Sequence, residues 1–437
     1  MFPLRDIAVT LFAFGSLPYI FKDPYMGVLV WNIFAFLSPH RYTWSFAYNF
    51  RFSLIIAAAT IISFLMYNGR KQVPWCSVTV FMLILTIWVS ITTVLAINPS
   101  GAVSELNRFS KIILLIFIAL ALIDNREKID KLVWVICVSL GFYGFKGGLF
   151  TIAHGGIYRV GGPTGSFIEG NNELAFALII CLPLMRYLHL NAKKRFVKNG
   201  LITVMVLCVI SIIGSYSRGA FLAGGAMLIF LWLRSRKRFG LLLAIVILIP
   251  IMFSFMPEEW HSRMNTIEDY KEDASAMGRI NAWYCAWNLA KDSPIYGGGA
   301  RAFTFKTFYK YAPDPNNFHD VHSIYFEMLG EQGFVGLFLF LSIYTFSFIY
   351  GYQIRRMTRG SPSYQWAFDL ASMCQVSLIG YAIGGAFLGL SYWDLPYTIV
   401  AIVVLTKAVI INEAFKSQIG NRNVPHKTAL SAPSGNK

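Results

Sequence analysis

Apolar runs and polar breaks alternate along this chain at a spacing set by a lipid bilayer. Apolar stretches recur at 55–67, 75–97, 111–123, 132–153, 172–189, 200–215, 219–233, 240–256, 333–352, 366–388 and 397–412. Most come near the ~20 residues that carry a helix across a hydrocarbon core. Two shorter stretches, 7–21 and 25–38, precede them and are split by Lys22-Asp-Pro24. Either is a short span or a re-entrant piece. The pattern predicts an all-α polytopic integral membrane protein of about 12 transmembrane helices, roughly 11 to 13, with one large, partly helical loop.

That loop, 257–332, is the one long polar stretch before the tail. It divides the chain into an N-terminal transmembrane bundle (1–256), a loop where chemistry is expected (257–332), C-terminal transmembrane helices (333–415) and a polar tail (416–437) that reads as disordered. Within the loop, Ser275 is a plausible N-cap. Ile280, Trp283 and Trp287 follow at helical spacing, with Tyr284 and Leu289 nearby, and Asp292-Ser-Pro294 ends the helix. Two Trp on one face suit the membrane interface or docking on other protein equally well. Gly297-Gly-Gly299 is a turn that lets the backbone approach something closely.

Composition agrees with a membrane protein. The chain has 56% apolar and 14% charged residues, and its mean hydropathy is +0.54. A soluble domain carries nearer a quarter charged residues. The first 20 residues lack a basic n-region and a small-residue cleavage site, so no cleavable signal peptide is expected. The net charge of +16 comes from clusters at Gly69-Arg-Lys71, 126–131, Lys193-Lys-Arg195 with Lys198, 234–238, Arg355-Arg356 with Arg359, and the tail. These fall in alternate loops, the positive-inside pattern. They place those loops and the C-terminus in the cytoplasm, and segments 39–54, 98–110, 154–171, 216–219, 257–332 and 389–396 on the other side. The large loop holds 7 Lys+Arg against 11 Asp+Glu, so the excess charge orients the chain and does not argue for nucleic acid.

Cysteines contribute little. Cys137, Cys181, Cys208 and Cys374 lie in apolar spans and Cys76 at the end of one, where Cys behaves as a small hydrophobe. Cys285 is alone in the loop, so no disulfide is expected there. There is no CxxC, no internal repeat, no P-loop and no dinucleotide fingerprint.

Three arginines stand at outward-facing ends: Arg159 in Tyr158-Arg-Val-Gly-Gly-Pro163, Arg218 in Ser215-Tyr-Ser-Arg-Gly219, and Arg279 in the loop helix. A single such arginine is often a snorkelling anchor. Arg218 is the one charge in a nearly loopless hairpin, flanked by small residues that leave room for a ligand. Arg also fits phosphate best, because its fork donates in pairs. Several on one face suggest a polyanionic ligand such as a lipid pyrophosphate.

Of the seven histidines, His189 and His426 are cytoplasmic on this orientation, and His40, His154 and His261 are set apart. His322 sits beside Ser323 where the loop re-enters the membrane. A neutral His there can take a proton from a hydroxyl, although a hydrogen-bonded interface His is the plainer reading. His319 competes with it one helical turn earlier. A metal is not expected: there is no DxD, no HExxH and no carboxylate cluster on the outer face, and Asp314, Asp320 and Asp394 are scattered. No GxSxG supports a serine hydrolase.

His322-Ser323, nine residues, Gly333, two residues and Gly336 resemble the H-[N/S/Q]-x9-G-x-x-[G/T/Y] signature of the O-antigen ligases, within the wider ligase and polymerase (Wzy-C) family. Ser215–Gly219 resembles that family's Ser-Arg-Gly hairpin, and Ser275-x-x-Gly278-Arg279 with Pro294 and Gly297-Gly-Gly299 resembles its loop. Tyr143 to Gly148 with Lys146, Arg159 to Pro163, Phe167 and Asn171-Asn172 are similar to the subgroup of exosortase-associated O-glycosylation ligases, as are Arg5-Asp6 and Ser38-Pro-His-Arg41.

The resemblance implies a bacterial inner-membrane glycosyltransferase with a catalytic periplasmic loop. It implies transfer of a finished glycan from undecaprenyl pyrophosphate to a lipid A–core sugar, with inversion and with no metal, nucleotide or other cofactor. It assigns catalysis to His322, Arg218 and Arg279. It assigns donor pyrophosphate or glycan to Arg159, Arg218, Arg279, His319 and Asn172. The implied partners are the lipid-linked donor, the lipid A–core acceptor and membrane lipid, without nucleic acid. Lys146 and Asp394 receive no role. A polymerase or a protein O-glycan ligase would use the same donor. A transporter is a different class, and Gly141–Gly148 would then mark a broken helix.

Overall fold

The computed structural model describes residues 3–234 and 274–422, together with Met256 and Glu258. The span expected at 240–256, apart from its last residue, lies outside the described residues. So do most of the loop's first part, with His261, and the tail beyond Arg422 with His426.

Before that gap the chain forms α1 (Leu4–Lys22), α2 (Pro24–Phe36), α3 (Phe52–Met66), α4 (Ser77–Val94), α5 (Pro99–Leu122), α6 (Arg126–Ala153), α7 (Asn171–Asn191), α8 (Arg195–Gly214) and α9 (Arg218–Arg234). After it come α10 (Ala274–Asp292), α11 (Phe305–Tyr311), α12 (Ile324–Thr358), α13 (Gln365–Gly384) and α14 (Asp394–Arg422). Among the described residues eight helices are long and apolar enough to cross a membrane, and α2 and α3 are shorter apolar helices. No strand occurs among the described residues.

Polar breaks become helix starts because they carry caps. Asp23 accepts from Tyr25 N at 3.0 Å, with Pro24 opening α2. Asn98 accepts from Gly101 N at 3.2 Å, with Pro99 opening α5. Asn125 accepts from Lys128 N at 3.0 Å. Each satisfies a donor the first helical turn leaves over.

Two expectations change. α10 already includes Ala274, so Ser275 is inside the helix and not its N-cap. The backbone also stays helical through 416–422, where a disordered tail was expected.

The glycines of α6 are a packing face. The helix runs through 141–148 without a break. A Cβ at Gly148 would sit 2.3 Å from Leu207 O, and one at Gly144 would sit 2.1 Å from Cys208 Sγ. Only a bare backbone lets α8 lie this close, the small-residue packing usual between membrane helices. The broken helix that a transporter would use at this place is therefore absent.

α13 packs against α7 and α9, and α12 against α4, α10 and α13. The segments expected to share one face meet each other: 98–110 with the loop, 154–171 with the hairpin before α9, and 389–396 with the start of α12.

Candidate functional site

The site grows from a break in α12. Gly333 has φ +68° and ψ −173°, which ends one helical piece and starts the next. The break frees carbonyls that must find donors. Gly298 N donates to Gly330 O at 2.9 Å and Gly299 N to Glu331 O at 2.8 Å. Trp88 Nε1 donates to Gln332 O at 3.0 Å. On the other side, Phe334 N donates to Pro294 O at 2.8 Å. The glycine turn thus approaches the backbone of α12, and it does so to close this break. A Cβ on Gly333 would lie 2.3 Å from Ile295 O. Gly333→Ala is expected to cost ~1–3 kcal/mol through strain and overpacking, read as a lower Tm in detergent. Unchanged stability would show that the break is not needed.

This closure sets the segment that leads into α12. Residues 319–323 are not helical, so His319 is not one helical turn from His322. His322 has φ +44°, unusual for a residue with a side chain. Trp283 Nε1 of α10 donates to Val321 O at 2.9 Å, and its ring stacks on Phe326 at 5.2 Å. Trp283 is therefore docked on protein, whereas Trp287 stays 42% exposed. The His319 ring lies on Gly278, where a Cβ would come within 2.6 Å of it. That is the physical need for glycine in Gly278-Arg279. Among the described residues Nδ1 of His319 is buried without a hydrogen-bond partner.

His322 is half-buried, and its imidazole is held below the ordinary histidine value. Burial is the main cause. Asp320 and Glu173 oppose it, while Arg279 and His319 push the same way. The shift favours the neutral ring near neutrality, and the charges of Arg279 and of Glu173, in the first turn of α7, both act on it.

Arg218 opens α9 and is half-buried. Ser217 Oγ accepts from Ala220 N at 3.3 Å, a cap that fixes where the helix starts. The hairpin before it is tied to the 154–170 loop. Val160 N donates to Gly214 O at 3.0 Å, Tyr216 OH to Gly156 O at 2.7 Å, and Asn171 Nδ2 to Ser215 O at 2.7 Å. Arg159 is exposed, with its guanidinium 5.6 Å from the Tyr216 ring. Asn172 is half-buried in the first turn of α7, but Asn171 makes the bond to the hairpin.

Aromatic packing lies between the start of α9 and α10. A Cβ on Gly219 would lie 3.5 Å from Phe387, whose ring is 6.4 Å from Trp283. Trp283 is four residues from Arg279 on α10, hence on the same face. Arg279 and His319 are charges that His322 feels, and the Phe387–Trp283 contact joins the start of α9 to the helix that carries Arg279. Arg159 lies against Tyr216 in the hairpin before α9, and Asn172 lies in the first turn of α7 next to Glu173.

Sequence reasoning missed two groups. Glu173, one turn into α7, is a charge that His322 feels. Glu105, Glu327 and Glu331 also converge, although the sequence shows no carboxylate cluster. Arg301 Nε donates to Glu105 Oε2 at 2.8 Å and Arg301 N to Glu331 Oε1 at 2.8 Å. Arg108 also pairs with Glu105. Tyr392 OH donates to Glu331 Oε2 at 2.9 Å, and Ser391 to Glu327. These carboxylates come from separate segments, so no short motif announces them. Their donors are guanidinium, hydroxyl and backbone. Among the described residues no three His, Cys, Asp or Glu side chains are placed to hold a metal. Asp394 is buried at the start of α14, and Lys146 Nζ lies 4.9 Å from the Tyr42 ring.

Residues 203–341 match the family model described as O-antigen ligase. Residues 4–193 match a second model, a family of unknown function (DUF5935). No curated protein matches the chain. The first match takes in Arg218, Arg279, His322 and the Gly333 break. Over residues 203–341, then, this membrane protein is similar to the O-antigen ligase family.

Proposed function

We propose that the protein is a metal-independent, inverting glycosyltransferase of the bacterial inner membrane. It transfers a glycan from undecaprenyl pyrophosphate to a lipid A–core sugar, with the site on the periplasmic face and the C-terminus in the cytoplasm. The observation that carries this reading is a half-buried His322 whose burial and whose neighbour charge Arg279 favour the neutral ring, inside the segment that matches the O-antigen ligases.

The chemistry follows from those groups. Breaking the anomeric C–O bond leaves negative charge on the pyrophosphate. Arg218 and Arg279 donate to that charge as it develops. His322 takes the proton of the acceptor hydroxyl as its oxygen attacks the anomeric carbon from the face opposite the leaving group. Arg159, His319 and Asn172 bind the rest of the donor. Residues 257–332 act as the catalytic loop between two sets of transmembrane helices.

The test is reconstitution. Purified protein, undecaprenyl-pyrophosphate glycan and lipid A–core are incubated with EDTA. The expected product is the joined glycolipid, formed at the rate seen without chelator. Loss of transfer on chelation with recovery on Mg²⁺ or Mn²⁺ sinks the metal-free mechanism. Lengthened lipid-linked glycan in place of the joined product identifies a polymerase with the same donor.

A further inference from the structure

At the far ends of α9 and α12 from His322, two guanidiniums converge on one neutral oxygen. Gln375 of α13 is fully buried, and its amide nitrogen donates to Phe348 O at 2.8 Å, which fixes its orientation. Its Oε1 accepts from Arg234 Nη1 at 2.6 Å and from Arg355 Nη1 at 3.3 Å. Arg234 lies 4.0 Å over the Phe230 ring, and Arg355 lies 5.2 Å over Phe368. No ion pair joins either arginine to a carboxylate among the described residues.

This arrangement is more than two membrane anchors. Snorkelling arginines carry their charges outward into water and away from each other. Here both charges are drawn to one amide, with their planes held by aromatic faces. Each guanidinium has five N–H donors. Each spends one on Gln375, and among the described residues Arg355 Nε is buried with no partner. The pair therefore offers two forks and excess positive charge, the chemistry that recognises phosphate oxygens.

We propose that Arg234 and Arg355 form a binding site for a phosphate group, supplied by the headgroup of an anionic lipid in the leaflet on that side. The lipid source follows from the flank of the site. Leu233, Tyr352 and Met357 beside the two arginines are more than half exposed, an apolar surface suited to acyl chains. Free phosphate shares the headgroup's chemistry but gains nothing from that surface.

The test is lipid retention by the intact protein, read by native mass spectrometry. Phosphatidylglycerol, phosphatidylcholine and inorganic phosphate are the probes. The wild type is expected to retain phosphatidylglycerol over phosphatidylcholine, and the Arg234→Gln/Arg355→Gln variant to lose that retention about tenfold or more. Both should keep the same glycan transfer rate. In a second measurement on the wild type alone, phosphatidylglycerol should shield Arg234 and Arg355 from phenylglyoxal while phosphatidylcholine does not. Equal retention by variant and wild type, or no shielding, overturns the site. Competition by millimolar inorganic phosphate keeps the anion site and overturns the lipid assignment.

Discussion

Arg218→Ala and Arg279→Ala are each expected to abolish detectable glycan transfer while the protein inserts and folds. A donor aimed at charge that appears only in the transition state is worth ~10²–10³ in rate, and a pyrophosphate leaving group presents several oxygens at once. Arg218 is set by the Ser217 cap at the start of α9, and Arg279 by the helix that Trp283 docks onto Val321. Neither is a loose surface side chain. Lysine variants should rescue poorly, because a point charge on a flexible stem replaces a planar fork. The measurement is initial rate of transfer at saturating donor, with helix content and Tm as controls. Near-normal rates for Arg218→Lys and Arg279→Lys would refute the paired-donor role. Arg159→Ala should be milder, since Arg159 is exposed and stacks against Tyr216.

Most helices are readable in the sequence because lipid allows one solution for a spanning backbone, and its length is fixed. Expected stretches at 55–67, 132–153 and 172–189 correspond to α3, α6 and α7. The breaks are readable too, since Asp23-Pro24, Asn98-Pro99 and Asn125 carry their own caps. What hydropathy cannot separate is a glycine that breaks a helix from one that packs it. Gly148 and Gly333 look alike in sequence. The first lets α8 approach and the second takes φ +68°, and only the neighbouring backbone distinguishes them.

The candidate site divides along the same line. Arg218, Arg279 and His322 stand in short motifs, so sequence could single them out. Glu173 and the Glu105–Arg301–Glu331 group could not be found that way. Glu105 and Arg301 are far apart in the chain, and their bond exists because the glycine turn brings residues 297–301 against α4 and α12. Long-range pairs of this kind follow from packing and leave no local spacing. The helix face of Trp283 and Trp287, which suits the membrane interface and protein docking equally in sequence, shows the same limit. Period alone gives the shared face, and Phe326 and Val321 decide that Trp283 faces protein.

His322→Ala is expected to lower the transfer rate by ~10²–10⁴, the usual worth of a placed base, with donor binding roughly intact. His322 occupies a backbone conformation uncommon for a residue with a side chain, and such outliers persist where surrounding structure enforces them. As a base it must be neutral. Burial lowers its pKa, so the wild-type rate should hold through neutrality and fall only below the ordinary histidine midpoint of ~6.5. The sign is set by protonation: acid charges the ring and removes the acceptor lone pair. Arg279→Lys should leave this acid limb in place, whereas Glu173→Gln, which removes a charge favouring the protonated ring, should move it further down. His319→Ala should be milder, because its ring packs on Gly278 and its proposed part is to bind donor. Rate against pH and donor-lipid binding are measured for each variant. If His322→Ala loses donor binding while His319→Ala is inactive with binding preserved, the base is His319 and His322 is a donor ligand. An acid limb that survives in His322→Ala would likewise assign the titrating group elsewhere.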